Sequence, residues 1–219
     1  MFTLEMIQDI IARENPHEHY ATYREHEALY WDAVYGWLFD HCAQNKVANV
    51  LDLGIAYGTL GLFVRMNTGA VLYGVDFFKY MSDELIRKYD IRYWLQNIEL
   101  DMLYFPVIFD VVIFTEIAEH LNFNIVSTLK KVVELMSNDG VLYLSTPDVD
   151  SWGRLDLYES WKDIPLPSTE VMPVDKHIYI FSEDELKYIF DLVGLRVDKF
   201  ALSAGINGAR NLNYQLRKG

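Results

Sequence analysis

The sequence predicts a doubly wound α/β fold on three observations. From Val47 onward, short apolar runs alternate with helical patterns, as strands and helices do around a parallel sheet. The first run passes directly into a loop containing Gly54 and Gly58 and then into a helical pattern. Asp52 and Asp76 sit near the ends of the first two runs, at the sheet edge where such folds hold ligands.

The elements follow in order. Leu4, Ile7, Ile10 and Ile11 share a helical face, and after the Asn15-Pro16 break a second helical pattern runs over 19–42. Residues 1–46 are therefore expected to form a helical cap within the same domain. Tyr23, Tyr30 and Trp37 recur every seven residues along it, a stripe that packs against a core or lies over a pocket. His17, His19 and His26 are read as surface residues.

Strands are predicted at 50–53, 71–75, 92–95, 111–114 and 141–144, with helices at 60–66, 83–88 and 125–136 in the gaps. Asn138, Asp139 and Gly140 supply a stop after the last of these helices. The stretch 148–174 has no clear period but carries Trp152, Trp161 and three prolines, which predicts a lid. Ser182 and Glu185 form a capping box that opens a helix at 183–191, and strands near 195–202 and 212–216 close the chain.

Composition narrows the partners. A formal charge of -13 is the reverse of the basic footprint of a nucleic-acid binder, so nucleic acid is an unfavoured partner. No apolar run is long enough to span a bilayer, and the acidic start lacks the basic and apolar segments of a signal peptide. The single Cys42 cannot form an intrachain disulfide, so a reducing, cytoplasmic setting is expected. The sequence leaves the oligomeric state open.

The loop Gly54-Ile55-Ala56-Tyr57-Gly58 offers backbone amides at a helix start, a place for a phosphate or carboxylate. Counting from Gly54, the dinucleotide fingerprint would need glycines where Ala56 and Thr59 stand, which disfavours a nicotinamide oxidoreductase. Asp52 close to the loop favours a ligand with positive charge. Asp76 is placed to accept hydrogen bonds from two ribose hydroxyls. Asp52 could instead cap a turn, and Asp76 the following helix.

With these residues the sequence resembles the class I S-adenosylmethionine-dependent methyltransferases, from about residue 47 to the C-terminus. The resemblance implies a Rossmann-like, mostly parallel, seven-stranded sheet with helices on both faces. It implies S-adenosylmethionine as cofactor, with Asp52, Gly54, Ala56 and Gly58 around its methionine part and Asp76 on its ribose. Asn97 and Ile98 would flank the adenine, with Asp101 as a second candidate. Thr115, just after the fourth predicted strand, would also line the cofactor.

The run Phe109 to Leu121, with Glu116-x-x-Glu119-His120 inside it, resembles the subgroup that contains ubiquinone-biosynthesis O-methyltransferases. If the chain is helical after Thr115, Glu116, Glu119 and His120 share one face. The resemblance implies that these three and His177 form a divalent-metal site, with Mg, Mn, Fe and Zn not distinguished. Two other readings stay open: His120 as a metal-free general base beside Glu119, or acidic residues that only offset a helix dipole.

The expected activity is methyl transfer to a small-molecule acceptor, on a hydroxyl, with or without metal assistance. A nicotinamide-dependent oxidoreductase, a noncatalytic member of the fold and an RNA-directed methyltransferase are the alternatives.

Overall fold

The computed structural model describes residues 1–155 and 157–219, with Ile206 described by its backbone alone. A seven-stranded sheet forms its centre: β1 (Asn49–Leu53), β2 (Val71–Asp76), β3 (Arg92–Leu95), β4 (Phe109–Thr115), β5 (Met136–Pro147), β6 (Leu195–Ala204) and β7 (Arg210–Lys218). Their order is β3-β2-β1-β4-β5-β7-β6, and only β7 runs antiparallel to its neighbours. The order reverses beside β1, between β1 and β4, which opens a crevice at their C-terminal ends.

The predicted strands fall inside the observed ones. β1 and β4 are almost wholly buried because both of their faces are covered, which is why they read as continuous apolar runs rather than alternating ones. One apolar cluster, built on Phe114, Leu144 and Phe190, packs α6 (Ile125–Leu135) and α8 (Glu183–Leu192) on one side. A second cluster, built on Val50, Phe63 and Ile113, packs α4 (Thr59–Thr68) and the N-terminal helices on the other. α8 starts at the capping box read from the sequence, with Ser182 and Glu185 bonding reciprocally. The short α5 (Asp83–Lys88) also begins on a serine cap, Ser82.

Four expectations are corrected. The single pattern over 19–42 is two helices, α2 (Tyr20–Tyr30) and α3 (Asp32–Gln44), which follow α1 (Leu4–Glu14) and turn at Trp31. Trp31 is buried, so its indole anchors the corner, and the seven-residue stripe is split between two directions. Second, residues 138–140 do not stop a helix before a strand, because β5 already begins at Met136. Gly140 is required within it, where an added Cβ would meet the Phe109 carbonyl oxygen at 2.9 Å.

Third, the stretch 148–174 is only partly a covering loop. It contains α7 (Val149–Trp152) and a 3-10 turn at Trp161–Asp163, and Trp161 and Ile164 belong to the core. Asn124 fixes it there: its amide nitrogen donates to the Trp161 carbonyl at 3.1 Å, and its backbone N–H donates to the Pro165 carbonyl.

Fourth, the chain is not helical from Glu116. Glu116 has φ +55, in the left-handed region, and only Ala118–His120 form a 3-10 turn. The Glu116 N–H donates to the Ser145 carbonyl, extending sheet-like pairing one residue past β4 and holding the chain out of a helical start. A bulky residue in this conformation costs about 1–3 kcal/mol, tolerated where neighbours over-determine it. Here they do: Ser145 Oγ and Asn211 Nδ2 donate to the two carboxylate oxygens at 2.6 and 2.7 Å.

Candidate functional site

Two cavities open at the C-terminal edge of the sheet. The larger, about 370 Å³, lies beside the β1 loop and is lined by Gly54, Ala56, Asp76, Asn97, Ile98 and Thr115 among others. The smaller, about 200 Å³, lies under α2 and includes Glu119 and His177 in its wall. Tyr23, Glu116 and His120 line both, so the two spaces meet at these three side chains.

The loop is shaped from two sides. Gly54 has φ +70, and a Cβ there would lie 2.0 Å from Ile117 Cδ1, so only glycine lets the loop pass under that side chain. Ala56 also has positive φ, at 44, which costs an L-residue about 1–2 kcal/mol. Its N–H donates to Asp76 Oδ2 at 2.7 Å, holding that conformation, while Phe78 N–H donates to Oδ1 at 3.0 Å. Burial raises the Asp76 carboxyl above its usual range against these hydrogen bonds.

Six of the eight residues expected around a cofactor line the larger cavity; Asp52 and Gly58 do not. Asp52 is buried within β1, and its carboxylate accepts the Gly61 N–H at 3.0 Å, tying the start of α4 to the sheet. Gly61 has to be glycine, since a Cβ would sit 2.7 Å from that carboxylate oxygen. Burial pushes the Asp52 carboxyl up to about 8. Asp101, the second candidate for the adenine side, accepts the Asn97 N–H at 2.8 Å and closes the turn from outside the cavity.

The Glu-x-x-Glu-His group converges without a helix. One ligand atom each from Glu119, His120 and His177 lie within 4.8 Å of one another. Glu116 lies outside that set, and its two oxygens each accept one hydrogen bond, from Ser145 and Asn211. Glu119 is buried, and its Oε2 accepts from Thr146 Oγ1 at 2.8 Å. Burial, reinforced by Glu116, lifts the Glu119 carboxyl well above its usual range, and burial lifts that of Glu116 to about 7. Burial lowers both His120 and His177, with Asp175 partly opposing it. Both imidazoles are thus neutral near pH 7.

Several site residues escaped the sequence reading. Glu27 on α2 lines the smaller cavity and is buried, accepting from Thr59 Oγ1 at 2.6 Å and Gln8 Nε2 at 2.8 Å. Asp175 Oδ1 lies 3.1 Å from His120 Nδ1, off the line of a well-formed hydrogen bond. Tyr23 and Tyr30 confirm the pocket-covering half of the stripe, while Trp37 instead packs beneath Lys199. His19 is exposed, as read, at the rim of the larger cavity, while His26, also read as a surface residue, is half-buried in the wall of the smaller.

A seven-stranded sheet in this order, with one antiparallel strand and a cavity at the β1 loop, defines a Rossmann-like methyltransferase fold. A methyltransferase-domain family model matches residues 20–199, and the chain belongs to that family. No curated protein sequence matches the chain closely enough to count as a relative.

Solved structures agree on the fold. The N-methyltransferase NodS of Bradyrhizobium japonicum WM9, in complex with S-adenosyl-L-homocysteine, aligns with TM-score 0.65 at 12% identity, over 97% of this chain and 98% of that one. Magnesium protoporphyrin IX methyltransferase of Synechocystis PCC 6803, with bound SAM, aligns with TM-score 0.63 at 15% identity, over 100% and 98%. The 1,6-didemethyltoxoflavin-N1-methyltransferase of Burkholderia thailandensis aligns with TM-score 0.61 at 16% identity, over 86% and 83%. Among the described residues no helix is long and apolar enough to cross a membrane.

Proposed function

We propose that the protein transfers the methyl group of S-adenosylmethionine to a hydroxyl of a small acceptor, with His120 as the base. The observation that carries this reading is the meeting of the two cavities at Tyr23, Glu116 and His120. The larger has the size of an ordinary cofactor pocket, and the smaller falls below the roughly 300–1,000 Å³ of drug-sized sites, so it suits a small acceptor. Residues 1–46 act as a cap over the acceptor, and part of 148–174 as a lid beside the cofactor.

In this mechanism the cofactor lies with its ribose at Asp76 and its adenine beside Asn97 and Ile98. Bound there, it would supply an electrophilic methyl carbon. The acceptor oxygen attacks the methyl carbon, the S–C bond breaks as the O–C bond forms, and the hydroxyl proton passes to His120 Nε2. Neutral thioether remains. Holding both reactants in line supplies much of the rate, and the base adds about 10²–10⁴-fold. Asp175 beside Nδ1 stabilises the imidazolium that forms.

A metal-assisted version is favoured by one observation, the proximity of Glu119, His120 and His177. Two neutral imidazoles and a carboxylate fit a divalent cation, and these three residues would hold it. When bound, the ion would lower the pKa of the acceptor hydroxyl. The Glu116-to-His120 sequence likewise supports a place near the ubiquinone-pathway O-methyltransferases. A cytoplasmic site of action is consistent with the lone Cys42.

Calorimetric titration with S-adenosylhomocysteine, followed by a turnover screen of hydroxylated small molecules that detects demethylated cofactor, tests the reading. Micromolar binding and turnover on a hydroxylated acceptor are expected. Failure to bind the cofactor product would refute it.

A further inference from the structure

The smaller cavity has a chemical bias that the reaction alone does not require. Its wall holds three carboxyls, Glu27, Glu116 and Glu119, and no Lys or Arg among the described residues that line it. Tyr23, Tyr30, Trp31 and Trp152 supply four aromatic rings around the same space. Arg24, one turn before Glu27 on α2, is committed to Asp9 at 2.8 Å and lies outside this wall.

Glu27 is the least explained of the carboxyls. Its two oxygens accept only from neutral donors, Thr59 and Gln8, and each oxygen keeps a second acceptor site. A buried carboxylate is costly, and Arg24 together with the Thr59 and Gln8 hydrogen bonds offsets that only in part, so burial pushes the group up to about 7. Trp31, only 6% exposed, has its indole Nε1 buried with no acceptor among the described residues. A buried indole N–H ordinarily finds an oxygen.

The carboxyls and rings specify a molecule that is cationic at one end. An anionic acceptor would face three carboxyls. A neutral one would leave Glu27 unbalanced and the rings without the cation that their faces attract. We propose that the acceptor is a small amino alcohol or aminophenol, its ammonium held by Glu27 and the rings of Tyr30, Trp31 and Trp152. Its hydroxyl faces His120. This rests on the methyl-transfer reading for the hydroxyl end, whereas the ammonium end is tested by binding alone.

The test is calorimetry of the full chain, with and without saturating S-adenosylhomocysteine, using three probes that share a catechol ring: dopamine with a cationic arm, catechol with none and 3,4-dihydroxyphenylacetate with an anionic one. Dopamine is expected to bind at least tenfold tighter than catechol, and the carboxylate more weakly than either. Glu27→Gln should bring dopamine down to the affinity of catechol. Trp152→Leu, at a partly exposed position that does not threaten folding, should reduce the preference severalfold and covers the case in which the Glu27 variant does not fold.

No preference for dopamine, no binding of any probe, or a preference that survives Trp152→Leu and a folded Glu27→Gln would overturn the inference. The two readings fail separately. Protein that prefers dopamine but ignores S-adenosylhomocysteine would refute methyl transfer and leave the amine site standing.

Discussion

Asp76, at the end of β2, accepts the backbone N–H of Ala56, in the loop after β1, at 2.7 Å. The bond crosses between adjacent strands and holds a residue whose own φ disfavours the conformation. The carboxylate therefore has two tasks: shaping the loop and, in the proposed complex, receiving the ribose.

Asp76→Ala should consequently lower affinity for S-adenosylhomocysteine by at least tenfold, from the loss of charge-assisted hydrogen bonds worth roughly 1.5–3 kcal/mol. Asp76→Asn keeps an acceptor for the Ala56 amide and should fall between the two. Calorimetry reads both. Unchanged binding in the alanine variant would remove the ribose from this corner.

Asp52 gives a pH dependence with a definite sign. Folded, its carboxyl stays protonated up to about 8 because of burial; unfolded, it ionises above about 3.9. Between these values the unfolded state binds fewer protons, so stability falls as pH rises, by at most about 1.4 kcal/mol per pH unit. Asp52→Asn, which still accepts the Gly61 amide, should flatten this dependence and raise Tm at pH 7.5 more than at pH 5. Thermal unfolding of the ligand-free protein at the two pH values checks it, and parallel shifts would contradict the burial argument.

β1, β2, β4 and β5 were legible because each contains a short apolar run that is buried. α8 was legible because its start is a local exchange of hydrogen bonds between Ser182 and Glu185. Glu116 was misread because its conformation is imposed by Ser145 and Asn211, 29 and 95 residues away, and no local pattern carries that information. Glu27 and Asp175 were invisible for the same reason: an acid on an amphipathic helix and an acid in a loop look solvated until another element covers them. Residue type alone nevertheless marked the acidic group and the histidines as candidates, and the structure brings Glu119, His120 and His177 close together.

His120 and the metal can be separated by experiment. If His120 is a free base, chelator-treated protein keeps its activity while His120→Ala loses about 10²–10⁴-fold. Asp175→Asn removes the charge that opposes the burial of His120, so the imidazole falls further below its usual value and the acid limb of kcat/KM moves to lower pH. If a metal is held, chelation abolishes turnover, and His177→Ala and Glu119→Gln do so too. Cofactor binding should survive His177→Ala and Glu119→Gln, because neither residue lines the larger cavity.

The lid proposal reduces to one residue pair. Asn122 grips Val174 through both backbone groups: the Val174 N–H donates to Oδ1 at 2.9 Å, and Nδ2 donates to the Val174 carbonyl at 3.0 Å. Val174 and its neighbours Pro173 and Asp175 line the larger cavity, whereas Met172 next to them is 88% exposed. A segment with one clasp and little buried surface opens at low free-energy cost, and a ligand that touches it should keep it closed. Trypsin should therefore cut after Lys176 more slowly when S-adenosylhomocysteine is bound. Asn122→Ala should speed that cut in the free protein and weaken cofactor binding severalfold, while Tm barely changes because the core is untouched. Equal cleavage of both proteins with and without the cofactor product would show that this segment plays no part in enclosing it.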